Sequence, residues 1–163
     1  MNPPQKIINF LERQRVRYKI LEHKTVYTSF DRAKTLKVAE KTVGKTLVLK
    51  LGNNLALTLI RADKNLDFAK LKKAAKKNIA FSGGKLDLAS EKLIKNRFKG
   101  IKLGAIPPFG PLWKLATFVD RSLLKAKEVI LNAGSYNFSI KIRPSEIKKI
   151  IPDLILGDFS RKK

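Results

Sequence analysis

No cysteine occurs in the chain, which excludes disulfides, thiolate nucleophiles and cysteine-held metal. The solitary histidine, His23, cannot form a cluster of imidazole ligands, so structural zinc is ruled out as well. Acidic residues are scarce, with 13 Asp and Glu against 36 Lys and Arg. No apolar run is long enough to span a bilayer, and Met1-Asn-Pro-Pro-Gln-Lys6 lacks the apolar stretch of a signal peptide; the expectation is a cytoplasmic protein. Also missing are the G-x-S-x-G elbow, the Walker loop, G-x-G-x-x-G and H-E-x-x-H. The sequence thus offers no ready-made nucleophile, nucleotide cradle or metal centre, and no cofactor is expected.

What remains is basic and moderately apolar. The 163 residues, 44% of them apolar, suit one domain spanning 1–163 with a sizeable core. A net charge of +23 attracts polyanions by counterion release and steering, which points to RNA or DNA phosphate. Lysine is spread along most of the chain, so a lysine-rich solvated surface also accounts for part of the charge, and an anionic membrane surface is a weaker third reading.

Asn2-Pro3-Pro4 reads as an N-cap and first turn of a helix over residues 3–16, with Ile7, Ile8 and Leu11 on one stripe. A short strand over 16–22 delivers His23 to a loop, and Thr28-Ser-Phe-Asp31 has the capping-box spacing of a helix reaching Leu36. Residues 45–51 and 55–61 alternate as strands around Gly52-Asn53-Asn54. Residues 67–77 read as an amphipathic helix with Phe68, Leu71 and Ala75 inward. Its outer face carries Lys70, Lys72, Lys73, Lys76 and Lys77 and is the first candidate for phosphate contact, through Lys70, Lys73 and Lys77. Residues 79–81 suit a short strand, Ser90 opens a helix ending by Gly100, and strands are expected over 115–119, 127–131 and 136–142. Pro144 opens a last helix carrying Ile147, Ile150, Ile151 and Leu154 inward, and Ser160–Lys163 reads as a loose tail. Hairpin-joined strands mixed with helices make an α+β fold around a mixed or antiparallel sheet.

Two features carry candidate chemistry. Period two puts Lys45 on one strand face with Leu47, Leu49 and Leu51; with Asn53-Asn54 as the turn, Ala56, Thr58, Ile60 and Ala62 lie opposite. A lysine on an apolar face either snorkels out of the sheet end or holds an anionic or carbonyl partner. The second feature is Gly104-Ala-Ile-Pro-Pro-Phe-Gly-Pro111, where two glycines and three prolines preset the backbone; it serves either as a tight crossover plugged by Phe109 or as a binding loop. An inward lysine, a stiff loop and a basic exterior suit hydrolysis of an activated ester carried on a polyanion, because an ester needs positioning and oxyanion stabilisation more than a strong nucleophile.

At these residues the chain resembles the YbaK / prolyl-tRNA-synthetase-associated editing domain family of free-standing aminoacyl-tRNA deacylases. The resemblance runs from about Ile7 to Asp158. It rests on His23, Val43-Gly-Lys-Thr46, Arg61-Ala-Asp63, Gly104-Ala-Ile-Pro-Pro-Phe-Gly110, Phe118-Val-Asp120 and Ala133-Gly134 in that order. It implies a mixed, largely antiparallel, barrel-like sheet with flanking helices, and hydrolysis of a mischarged small amino acid (Ala, Cys or Ser class) from tRNA after a synthetase releases it. By the same resemblance Lys45 takes the family's key lysine position. Gly104, Ala105, Ile106, Pro107 and Pro108 form the loop that cradles the aminoacyl group, and His23, Asp120 and Gly134 line or support the pocket. The cysteinyl-specific branch commonly carries serine where this chain has Pro107, which sets the loop apart from that branch. Partners implied are mischarged tRNA and an aminoacyl-tRNA synthetase, with no membrane and no metal. A non-catalytic tRNA-binding module and a synthetase-docking module on the same fold are the alternative readings.

Overall fold

In the computed structural model the described residues are 2–78 and 84–163. The strand expected over 79–81 lies outside them. Helix α1 (Gln5–Gln14) buries Ile7, Phe10 and Leu11 at helical spacing. Pro4, not Asn2, is its N-cap, with φ −50° and ψ 134°; the extended backbone of a proline that precedes the first turn displaces the start by two residues. Strand β1 (Tyr18–Glu22) leads through His23 to α2 (Ser29–Leu36), where Thr28 Oγ1 accepts from the Asp31 N–H as the capping spacing requires.

Strands β2 (Gly44–Leu51) and β3 (Asn54–Arg61) form the hairpin. Its turn is Gly52-Asn53, with Gly52 at φ 62° in the first central position, where an L side chain would be strained. Lys45 therefore pairs with Ile60, Leu47 with Thr58 and Leu49 with Ala56. That is a slip of two residues from the sequence-based register, which preserves the face because side chains alternate with period two. Strand β4 (Lys64–Leu66) precedes α3 (Phe68–Asn78), which buries Leu71 and Ala75. Phe68, expected inward, is 40% exposed, since it starts the helix beyond the edge of the apolar cluster. Strand β5 (Leu86–Leu88) and α4 (Glu91–Arg97, capped by Ser90 Oγ) lead to the Gly104–Pro111 loop. The one-turn helix α5 (Gly110–Trp113) follows, and then β6 (Ala116–Asp120), β7 (Val129–Asn132), β8 (Phe138–Ile142), α6 (Pro144–Ile150), β9 (Ile155–Gly157) and β10 (Ser160–Lys162).

The architecture is α+β and mostly antiparallel. A five-stranded sheet runs β5-β2-β3-β6-β9, parallel only at β3–β6 and β6–β9, and a three-stranded antiparallel sheet runs β1-β8-β7. A bridge from Val43 to Ile130 joins the two. The main core fills the space between the sheets and α1, α5 and α6. A second cluster covers the other face of the five-stranded sheet with Leu49, Leu51, Ile60, Leu71, Phe118 and Phe159. Lys45 shares that second face, as its parity requires. The segment expected to be a loose tail is instead paired: β10 lies antiparallel to β4, and Asp120 fastens it from below, as described next.

Candidate active site

Lys45 stands second in β2, at the end of the Leu47–Leu51 column, and is half-buried. Burial pushes its ammonium below the ordinary lysine value, the nearby charge of Lys163 adds to that, and Asp63 and Glu40 pull partly the other way. Beside it opens a cavity of about 620 Å³. Its walls are the first turn of α2 (Thr28, Ser29, Phe30, Asp31), Tyr27, the β2 residues Lys45, Thr46 and Leu47, and Ala62, Gly104 and Lys163. The inward lysine and the first residue of the Gly-Pro loop, 59 positions apart in sequence, thus share one cavity. Asp31 supplies a carboxylate, and the opening turn of α2 supplies the amides of Ser29 and Phe30, which precede the capped Asp31 N–H.

The loop contributes less directly than its stiffness suggests. Gly104 is exposed on the cavity, but Ala105, Ile106, Pro107 and Pro108 are buried behind it. Ala105 N–H donates to the Lys102 carbonyl, the Ala105 carbonyl accepts from Gly134 N–H at 2.9 Å, and the Ile106 carbonyl accepts from Asn132 Nδ2 at 3.1 Å. Gly134 is therefore a clamp on the loop from behind, bonded to the neighbour of Gly104 but not itself lining the cavity. Its φ of 86° would strain any L side chain, and a Cβ there would stand 3.1 Å from Pro4 Cγ, a tight contact that Pro4 would have to yield to.

His23 also lies off the cavity. Buried Arg32 donates through Nη1 to the Phe138 carbonyl (2.9 Å) and Ser139 Oγ (2.6 Å), and approaches His23 Nε2 at 3.3 Å. A guanidinium can only donate, so Nε2 is the acceptor; it takes the Ser139 hydroxyl at 2.8 Å, and Nδ1–H donates to the Lys24 carbonyl at 2.7 Å. Burial lowers the pKa of His23, and the charge of Arg32 lowers it further against the favourable Lys24 carbonyl. Arg32 itself is 1% exposed, and burial depresses it to about 10. The reach of that arginine under α2 carried no signal in the sequence, where a basic residue in an amphipathic helix reads as outward.

Asp120, at the end of β6, is buried and serves the fold. Its Oδ1 accepts from Phe159 N–H (3.1 Å), and its Oδ2 from the hydroxyls of Ser122 (2.8 Å) and Ser160 (2.5 Å). It fixes the strand that carries Lys163 to the cavity. The exposed Lys70, Lys73 and Lys77 stand on one face of α3 and, with Arg121 and residues 156–159, line a separate groove of about 510 Å³. Among the described residues no three His, Asp or Glu side chains are grouped to hold a metal ion, and no helix is long and apolar enough to cross a membrane.

A family model described as the aminoacyl-tRNA editing domain matches residues 23–150. The chain belongs to the aminoacyl-tRNA editing domain family. Solved structures repeat the fold. A hypothetical protein superposes with a TM-score of 0.82 at 22% identity, over 96% of this chain and 99% of that one. A candidate trans-editing enzyme for prolyl-tRNA synthetase gives 0.82 at 20% identity over 99% of each chain. A scaffold protein used for grafting linear epitopes gives 0.81 at 21% identity over the whole of both. At such identities the likeness is one of fold. No curated protein matches the chain. Within this editing domain the matched span holds Lys45, the Gly104 loop, His23, Asp120 and Gly134, while β10 and Lys163 lie beyond it.

Proposed function

We propose that the protein is a trans-acting aminoacyl-tRNA deacylase that hydrolyses the ester of a mischarged small amino acid. The observation that carries this reading is the shared cavity: an ammonium, a carboxylate, a helix start and an exposed glycine backbone meet in one space of about 620 Å³. Lys45 binds the terminal phosphate or the ester carbonyl, where negative charge develops as the tetrahedral centre forms. Asp31 is the one acidic residue lining the cavity and suits the substrate's α-ammonium, with Gly104 offering backbone groups beside it. Water attacks the ester carbonyl, the bond from that carbon to the ribose oxygen breaks, and the leaving ribose oxygen takes up the proton that the water gives up. Ala105 to Pro108, held behind Gly104, keep the wall from yielding to larger side chains. Steric exclusion matters here because one methylene discriminates by only about 1–3 kcal/mol. The basic face of α3 supports tRNA as the carrier of the ester.

A deacylation panel with Ala-, Ser-, Cys- and Pro-charged tRNA tests the reading. One of the three small amino acids is released and proline is retained. Lys45→Ala lowers turnover by about a hundredfold or more while its circular dichroism and unfolding midpoint stay those of a folded domain. Turnover equal to the parent's on every charged tRNA removes Lys45 from the mechanism. Binding of tRNA without release of any amino acid makes the protein a non-catalytic module.

A further inference from the structure

Tyr27 separates the Lys45 cavity from a second one. That neighbour, of about 600 Å³, is lined by Lys24, Thr25, Val26, Lys34, Thr35 and Lys37 and shares Tyr27 and Asp31 with the first. Both volumes are in the range of small-ligand sites, about 300–1,000 Å³. Three exposed lysines against one carboxylate favour an anionic occupant of the second cavity.

Tyr27 between them is an unusual surface residue. It is 66% exposed, yet its ring is held: it meets Tyr136 edge-on with centroids 4.8 Å apart. Tyr136 in turn donates its hydroxyl to the Leu103 carbonyl at 2.7 Å, and its own carbonyl accepts from Val26 N–H at 2.9 Å. A large aromatic face so fixed and left open is suited to stacking, and its ordering entropy is largely met before a ligand arrives. Aromatic faces flanked by lysines are how proteins hold single-stranded nucleic acid: bases stack while ammonium groups follow the phosphates.

We infer that the second cavity holds the nucleotide that precedes the ester-bearing one, its base stacked on Tyr27 and its phosphate among Lys24, Lys34 and Lys37. The inference rests on the deacylase reading for the identity of the strand, a single-stranded RNA 3′ end. Asp31, at the junction, repels a phosphate that strays toward the position of the α-ammonium.

Binding of uncharged RNA tests this separately from catalysis. The trinucleotide CCA and the mononucleotide 5′-AMP are titrated by calorimetry against the parent, Tyr27→Ala, Tyr27→Phe and Lys24→Glu/Lys34→Glu. Tyr27→Ala weakens CCA by about five- to a hundredfold, the range for loss of one stacked base, and Tyr27→Phe retains the affinity. The double lysine variant lowers CCA affinity by about tenfold more than AMP affinity and flattens its salt dependence by about one unit of slope. With charged tRNA, the same double variant raises KM and spares kcat. Equal CCA affinity in the parent and Tyr27→Ala overturns the inference, as does an equal loss for CCA and AMP in the lysine variant, or no CCA binding by the parent. A parent that binds CCA through Tyr27 but hydrolyses no ester overturns the deacylase reading and leaves the stacking site standing.

Discussion

His23 lies off the Lys45 cavity, tied into hydrogen bonds of its own. Its Nε2 accepts the Ser139 hydroxyl and faces the Arg32 guanidinium at 3.3 Å, so a proton placed there would meet a donor-only cation in a half-buried site. Burial first, and Arg32 next among the opposing charges, hold its folded pKa below the ordinary 6.5. The sign for stability follows. Above 6.5 both folded and unfolded imidazoles are neutral and pH has no effect through this group. As pH falls through 6.5 toward the lowered folded value, the unfolded chain takes a proton that the folded chain refuses, and stability is lost; below the folded value the loss is complete and constant. Urea unfolding between about pH 7.5 and pH 5 should show this decline in the parent, above the range where carboxylates of about 4 titrate. His23→Asn should be flat over the same interval, and a slope equal to the parent's would remove His23 as its source. Lys45 follows the same logic at higher pH: its ammonium is disfavoured in the fold, so Lys45→Met should raise the unfolding midpoint near neutrality even as it removes activity.

Among the elements, β10 is held by its pairing with β4 and by one carboxylate. Asp120 accepts three hydrogen bonds, two of them from Phe159 and Ser160, so its loss leaves a buried N–H and hydroxyls without partners at about 1–3 kcal/mol each. Asp120→Ala should lower stability by about 3 kcal/mol, and amide exchange over residues 159–162 should quicken more than exchange in β2 and β3. Uniform acceleration across all strands would mean that Asp120 supports the whole sheet instead. None of this was visible in Ser160-Arg-Lys-Lys163, which has no apolar residue to mark a strand; Asp120 is 40 positions away and the paired strand β4 is further still, and contacts of that range leave no local pattern. The hairpin was legible for the opposite reason. Alternation over Lys45–Leu51 fixed which face Lys45 takes, and that face survived a turn placed one residue too late, because the slip in pairing was even. The Gly-Pro loop was legible as stiff but not as buried: burial of Ala105–Pro108 comes from Gly134 and Asn132, a strand end whose arrival depends on the topology of the three-stranded sheet.

Across the whole molecule, one quantity should act with opposite signs on folding and on RNA. With +23 on 163 residues and five ion pairs among the described residues, most lysines have no acidic partner and repel one another through water. Salt shortens the reach of that repulsion, from about 14 Å near 50 mM to about 4 Å near 500 mM by the scaling of the Debye length. The unfolding midpoint should therefore rise with salt over this range. Binding of tRNA should weaken over the same range, because each phosphate contact gives back a condensed counterion. Lys70, Lys73 and Lys77 separate the two effects, since they share one face of α3 and the groove with Arg121. The triple change Lys70→Glu/Lys73→Glu/Lys77→Glu should raise the midpoint at low salt and shrink its further rise. If that face carries the duplex part of the tRNA, the change should also lower the slope of log K against log salt by about 2 to 3. A midpoint that rises while the tRNA slope stays at the parental value would show that this face repels its neighbours but touches no RNA. The contact surface would then have to be sought around the Lys24, Lys34 and Lys37 side, where the strand's end is proposed to enter.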